Sequence, residues 1–147
     1  MGRVVQLNGE LYAREFGYDA TFEALVAEIV AGFVRDFDPQ RERCWIAEMD
    51  SEVVGSIFLV RKTRAVAKLR LLIIHPKARG QGLGRRLTQA CIRFARRKRY
   101  RKIVLWTQSH LVAARGIYHA EGFRMVSSEK HRSFGKRLVA ESWELKL

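Results

Sequence analysis

Only two cysteines, Cys44 and Cys91, occur among 147 residues, too few for a disulfide framework or for the ligand set of a structural zinc site. Cys44 lies in an apolar, strand-like run and Cys91 on the apolar face of an expected helix, so both read as buried thiols, and no metal is expected. The two prolines, Pro39 and Pro76, sit where elements should stop or start, and no linker, repeat or low-complexity tract separates domains. No apolar run approaches the roughly 20 residues that span a bilayer. Met1 to Asn8 has neither the apolar stretch nor the cleavage site of a signal peptide, so a cytoplasmic chain without a membrane partner is expected. Residues 1–147 then form a single domain with one core.

Acidic residues are missing from the entire stretch between Glu52 and Glu121. Residues 1–52 carry 11 acids against 5 Lys or Arg, whereas residues 53–147 carry 4 against 23, within a total formal charge of +13. The second half therefore calls for an anionic partner, without choosing among a phosphorylated cofactor, nucleic acid and a charged surface.

What is present is helix and strand in alternation. After an apolar start at Val4 and Val5, a helix is expected from about Asn8 to Phe16, closed by Gly17. Tyr18 and Asp19 form a loop, and Phe22, Leu25, Val26, Ile29, Val30, Phe33, Val34 and Phe37 recur at helical spacing in a second helix capped by Asp19 or Thr21. Cys44–Glu48 and Glu52–Val60 read as strands joined by a Met49-Asp50-Ser51 turn. Ala67–Ile74 is a strand ended by Pro76. Leu83, Leu87, Ala90, Cys91, Phe94 and Ala95 mark a long amphipathic helix running into Arg96-Arg97-Lys98-Arg99. A strand over Lys102–Thr107, a helix from about Leu111 to Ala120 closed by Gly122, and strands over Phe123–Ser127 and Leu138–Leu145 complete a mixed α/β order.

The densest chemical signal is Arg79-Gly80-Gln81-Gly82-Leu83-Gly84-Arg85, placed after a strand and at the mouth of a helix. Three glycines in five residues are poor helix formers, and their use frees backbone amides to converge on an anion at the positive end of the helix dipole. A Walker loop would need Lys-Ser/Thr after Gly84, where Arg85 stands, and a dinucleotide fingerprint would need its third glycine at that same position. Arg79-x-x-Gly82-x-Gly84 instead resembles the acetyl-CoA signature of the GNAT superfamily of N-acetyltransferases. Downstream, Tyr118-His119-Ala120-Glu121-Gly122-Phe123 resembles that family's Tyr-x-x-x-Gly-Phe helix end. Specific motifs cover Ala67 to Phe123, and the rest matches in order of elements. The run Leu105–Phe123 with Ser133-Phe134-Gly135 is most similar to the acetyltransferase domain fused behind MarR-type regulators.

The resemblance implies a GNAT fold: a mostly antiparallel twisted sheet flanked by about four helices and splayed between the Ala67–Ile74 and Lys102–Thr107 strands, the family's fourth and fifth. It implies acetyl-CoA as cofactor, held by the backbone of Leu72, Ile73 and Ile74 and by Arg79, Gly80, Gln81, Gly82, Leu83, Gly84 and Arg85. Tyr118 is then the acid beside the sulfur, since a phenol can protonate a departing thiolate. An acceptor amine is expected near Tyr12, Phe16, Tyr18, Asp19 and His131, with Glu15 as a further source of charge.

Two departures from the family stand out. The Asn expected seven residues before the Tyr is Leu111, which leaves Gln108 or Ser109 to replace its contact with the pantetheine arm. Lys68–Ile74 also carries no carboxylate to serve as base. Glu48 reads as a solvated strand residue, and His75, His110 and His131 read as loop or surface histidines rather than bases. The reading is an enzyme that acetylates a primary amine. Its rivals are an acyl-CoA-sensing module without catalysis and, ranked below both, a nucleic-acid binder using Arg93, Arg96, Arg97, Lys98, Arg99, Arg101 and Lys102. A homodimer is left open.

Overall fold

In the computed structural model, which describes residues 1–147, alternating apolar residues set the strands of one six-stranded sheet. The elements follow as α1 (Gly2–Phe16), α2 (Ala20–Arg35), β1 (Arg43–Met49), β2 (Glu52–Arg61), β3 (Val66–Ile74), a short 3-10 turn (Pro76–Ala78), α3 (Leu83–Arg97), β4 (Lys102–Gln108), α4 (Val112–Ala120), β5 (Arg124–Ser133) and β6 (Lys136–Lys146). The sheet order is β1-β2-β3-β4-β6-β5. Every neighbouring pair is antiparallel except β3 and β4, which α3 connects as a parallel pair.

Period-two side-chain alternation divides β2 between two cores. Ile57 and Leu59 join Leu87, Cys91, Phe94 and Ile103 under α3 and α4, while Phe58 faces Val4, Val26 and Val30 of α1 and α2. Each such fully buried side chain contributes about 1.5–3 kcal/mol relative to exposure. The result is a three-layer arrangement with helices on both faces of the sheet.

Local signals end most elements where the sequence places them. Asp19 caps α2 by accepting a bond from the Thr21 backbone N–H at 3.0 Å, and Gly17 closes α1 in the left-handed region at φ 69°. Asp50 and Ser51 both have positive φ between the paired residues Met49 and Glu52, the two-residue turn whose twist suits a hairpin. Three boundaries differ. Val4 and Val5 belong to α1, because Val4, Leu7, Asn8 and Leu11 form one buried stripe. The last two strands run longer than expected, through Ser133 and from Lys136, because Phe134 and Gly135 both take positive φ and make a tight turn between them.

β3 carries an irregularity that the uniform run Leu69-Arg70-Leu71-Leu72-Ile73-Ile74 conceals. Phe58 pairs with Arg70 and Ser56 with Ile73, so Leu71 and Leu72 have no partner on β2, and Leu71 has a φ of 54°. The inserted residue is a β-bulge, which bends the strand and frees backbone groups from the ladder. On the other edge, β3 pairs with β4 only from Val66↔Lys102 to Leu69↔Leu105. Beyond that point the two strands part.

Candidate active site

The fork between β3 and β4 opens into two adjoining cavities. The first, about 380 Å³, is lined by Leu72, Ile73 and Ile74 of β3, by Arg79, Gly80, Gly82, Leu83, Gly84 and Arg85, and by α4 residues including Ile117. The second, about 270 Å³, lies on the α1 and α2 side and holds Tyr118. Tyr12, Leu72, Leu111 and Ala114 line both, so the two cavities share a wall.

The glycines of the loop do different work. Gly80 and Gly82 have φ of 78° and 73°, and an added Cβ at either would meet nothing within 4 Å. Their requirement is therefore conformational: they turn the chain into the start of α3, whose first-turn amides have no intrahelical partners. Gly84 has no such need. A Cβ there would lie 2.8 Å from Cδ1 of Ile117, so its small size lets α3 and α4 approach.

Both arginines of the loop line the first cavity and are tied to carboxylates at its rim. Arg79 pairs with Glu15 of α1 at 2.7 Å and donates from Nε to the Ile74 carbonyl at 3.3 Å, while Arg85 pairs with Glu121 at 2.7 Å. Gln81 is exposed and lines neither cavity. The basic run after Arg93 lies at the far end of α3, roughly 20 Å along the helix from the loop, beyond a Debye length at physiological salt.

Tyr118 is buried, with its ring 5.7 Å from Phe123 and 6.3 Å from Trp143. Burial, with smaller contributions from Tyr12 and Cys91, pushes its phenol well above the ordinary range, so the hydroxyl keeps its proton at every physiological pH. Glu141 braces this arrangement: it accepts from Arg115 Nε on α4 at 2.8 Å and from Trp143 Nε1 at 3.0 Å. Tyr12, on the shared wall, is likewise pushed up to about 12, first by burial and then by the Glu15 carboxylate, with Arg79 opposing.

The residues expected to meet the acceptor separate. Tyr12 and Tyr18 line the second cavity and Phe16 the first. Asp19 is the α2 cap, its carboxylate turned to Thr21 and its N–H to the Phe134 carbonyl. His131 stands one step behind the second cavity, with Nε2 2.9 Å from Oε1 of Gln108 and Nδ1 2.9 Å from the Ser133 hydroxyl. Gln108, expected on the cofactor side, is buried in the second cavity instead.

His110 is the residue that sequence reasoning set aside. It is no surface histidine: its Nε2 lies 2.6 Å from the Tyr18 hydroxyl, its ring packs on Phe16 with centroids 4.6 Å apart, and its buried Nδ1 has no partner. Burial lowers its pKa, which favours neutral imidazole in the first cavity wall. No local pattern announces it, because Tyr18 is 92 residues away in sequence.

The family model for "Acetyltransferase (GNAT) family" matches residues 8–123, which include the glycine loop, the fork and α4. The chain belongs to the GNAT acetyltransferase family. Among curated relatives, human (Homo sapiens) N-acetyltransferase 8B is 32% identical over 85 residues, 54% of this chain and 37% of that protein. N-acetylaspartate synthetase of Danio rerio is 28% identical over 109 residues, 74% of this chain and 38% of that protein. The chain thus spans well under half the length of these relatives. Among solved structures, ribosomal-protein-alanine N-acetyltransferase from Brucella melitensis superposes with a TM-score of 0.78 at 18% identity, over 99% of this chain and 93% of that one. yncA of Salmonella typhimurium, solved with its cofactor acetyl-CoA, gives a TM-score of 0.68 at 22% identity over 82% and 72%. These likenesses confirm the GNAT fold: a mixed α/β architecture whose sheet opens at its one parallel pair.

Proposed function

We propose that the chain transfers an acetyl group from acetyl-CoA to a primary amine of a small molecule or peptide, with both held together and the amine attacking directly. The observation that carries this reading is the geometry of the fork: left-handed Gly80 and Gly82 at the N-terminus of α3 open one cavity, and Tyr118 lines the next across a shared wall. The residues present fit the cofactor. Gly80, Gly82, Leu83 and Gly84 offer main-chain donors for a diphosphate, reinforced by Arg79 and Arg85. The bulged, unpaired edge at Leu71 and Leu72 with the edges of Ile73 and Ile74 offers backbone partners for amides of the pantetheine arm. Acetyl-CoA supplies an acyl group already activated as a thioester.

The chain's own groups then divide the work. Backbone donors at the bulge polarise the thioester carbonyl and align it for attack. Tyr118, held protonated by burial, donates from its hydroxyl to the leaving sulfur. His110, neutral and with Nε2 2.6 Å from the Tyr18 hydroxyl, accepts the Tyr18 proton as that hydroxyl takes the one the amine sheds. If so, kcat/KM falls as pH drops through a value below 6.5, the ordinary histidine pKa from which burial lowers it, and His110→Gln removes that acid limb while lowering the plateau. An unchanged acid limb in His110→Gln would take the proton-accepting role away from it.

The similarity of Leu105–Phe123 to domains fused behind MarR-type regulators sustains one other reading, an acyl-CoA-sensing module without catalysis. A single assay separates the two: acetyl-CoA binding by calorimetry, followed by thiol release across a panel of amines, amino acids and peptides. Binding with amine-dependent thiol release is the expected result. Binding without release under any amine favours the sensor, and no binding removes both.

A further inference from the structure

We infer that the acceptor is an amine that itself carries a carboxylate beside an apolar group, as an α-amino acid with a bulky side chain does, and that Lys68 and Arg70 of β3 receive that carboxylate. This rests on the acetyl-transfer reading above and narrows it.

The second cavity contains no carboxylate. Its walls are Asn8, the aromatic rings of Tyr12, Tyr18, Phe22, Trp106, Tyr118 and Phe134, aliphatic residues of α2, β3 and the start of α4, Thr107 and Gln108, with Lys68 and Arg70 as its only charges. The acids expected to greet an amine are committed elsewhere, Glu15 to Arg79 and Asp19 to the α2 cap.

Lys68 and Arg70 are two residues apart on one face of β3, which places their Cα atoms roughly 6–7 Å apart. Both are half-buried, and neither takes part in any ion pair within 4.0 Å or any side-chain hydrogen bond of the structure. Glu28, Asp36 and Glu42 line the adjoining groove that the two cations share, yet none reaches either one. Burial lowers the pKa of each, and for Lys68 the Arg70 charge adds to the effect. Paired cations without counterions are costly to hold so close.

The same pair governs what can enter. A simple alkylamine, protonated in water, meets two like charges and no opposing one. An amine joined to a carboxylate arrives neutral overall, and its anionic end matches the guanidinium and ammonium as a charge-assisted pair. Its apolar group then meets the aromatic wall, leaving the amine toward Tyr118. Gln108 and the hydroxyl of Tyr18 remain as neutral hydrogen-bond partners.

The test compares leucine, phenylalanine and tryptophan with their decarboxylated counterparts, isoamylamine, 2-phenylethylamine and tryptamine, in acetyl-CoA-dependent thiol release. The amino acids are expected to show kcat/KM at least tenfold above their decarboxylated partners. Arg70→Gln should raise KM for the amino acids at least tenfold, leave kcat near the wild-type value, leave the acetyl-CoA Kd unchanged, and narrow the gap between each pair; Lys68→Met should act in the same direction. An unchanged acetyl-CoA Kd also shows that the variants are folded. Turnover confined to amines or peptides without a neighbouring carboxylate, or an Arg70→Gln KM equal to wild type, overturns the inference while the acetyltransferase reading stands. Acetyl-CoA binding without turnover of any amine overturns both.

Discussion

Replacing Tyr118 with Phe is expected to cut kcat by about a hundredfold or more, the usual contribution of a positioned proton donor, while acetyl-CoA affinity stays at the wild-type level. The ring remains in place to pack on Phe123 and Trp143, and the change removes only the hydroxyl, so stability should move by about 1 kcal/mol or less. Because the phenol lines the second cavity and not the one containing the glycine loop, cofactor binding and chemistry are expected to separate. Stopped-assay kinetics with calorimetric binding on the same preparation would show it. Full turnover by the Phe variant would exclude the hydroxyl as donor.

The second large effect distinguishes two glycines that look equivalent in the sequence. Gly82→Val puts a β-branched residue at φ 73°, where strain of about 1–3 kcal/mol is expected; relief of that strain rotates the amides at the start of α3 out of alignment. Acetyl-CoA affinity should fall about a hundredfold, equivalent to roughly 2.7 kcal/mol, with a small loss of thermal stability. Gly84→Val acts differently. Its side chain collides with Ile117, and overpacking of this kind costs about 1–3 kcal/mol, so the expected result is a Tm lower by several degrees and a displaced α4, which carries Tyr118. Thermal melts with and without acetyl-CoA distinguish the two, and wild-type affinity in Gly82→Val would refute the role given to the loop.

That contrast shows what was legible beforehand. Glycine takes positive φ most freely, so the turns at Gly80 and Gly82 announce themselves in a handful of adjacent letters, while the Asp50-Ser51 turn and the Asp19 cap are marked by short polar side chains instead. The acceptor side was less readable. His110 owes its place to Tyr18, and Gln108 to His131, partners that only the fold brings together. The bulge at Leu71 was hidden for another reason: along Leu71–Ile74, where both faces are apolar, sliding the register by one residue leaves the hydrophobic pattern unchanged. Arg70 breaks the apolar character of β3, but nothing local tells that its charge faces a cavity.

The four-residue seam between β3 and β4 has a consequence for the chain as a whole. Past Leu69 and Leu105, each strand presents main-chain donors and acceptors along an inner margin, the kind of surface that elsewhere invites another polypeptide to add itself to a sheet. Here the margin faces a slot walled by helices α1 and α4, which leaves no room beside it for a neighbouring strand. The sheet's failure to close thus supplies unsatisfied main-chain groups along a narrow slot before any side chain is chosen.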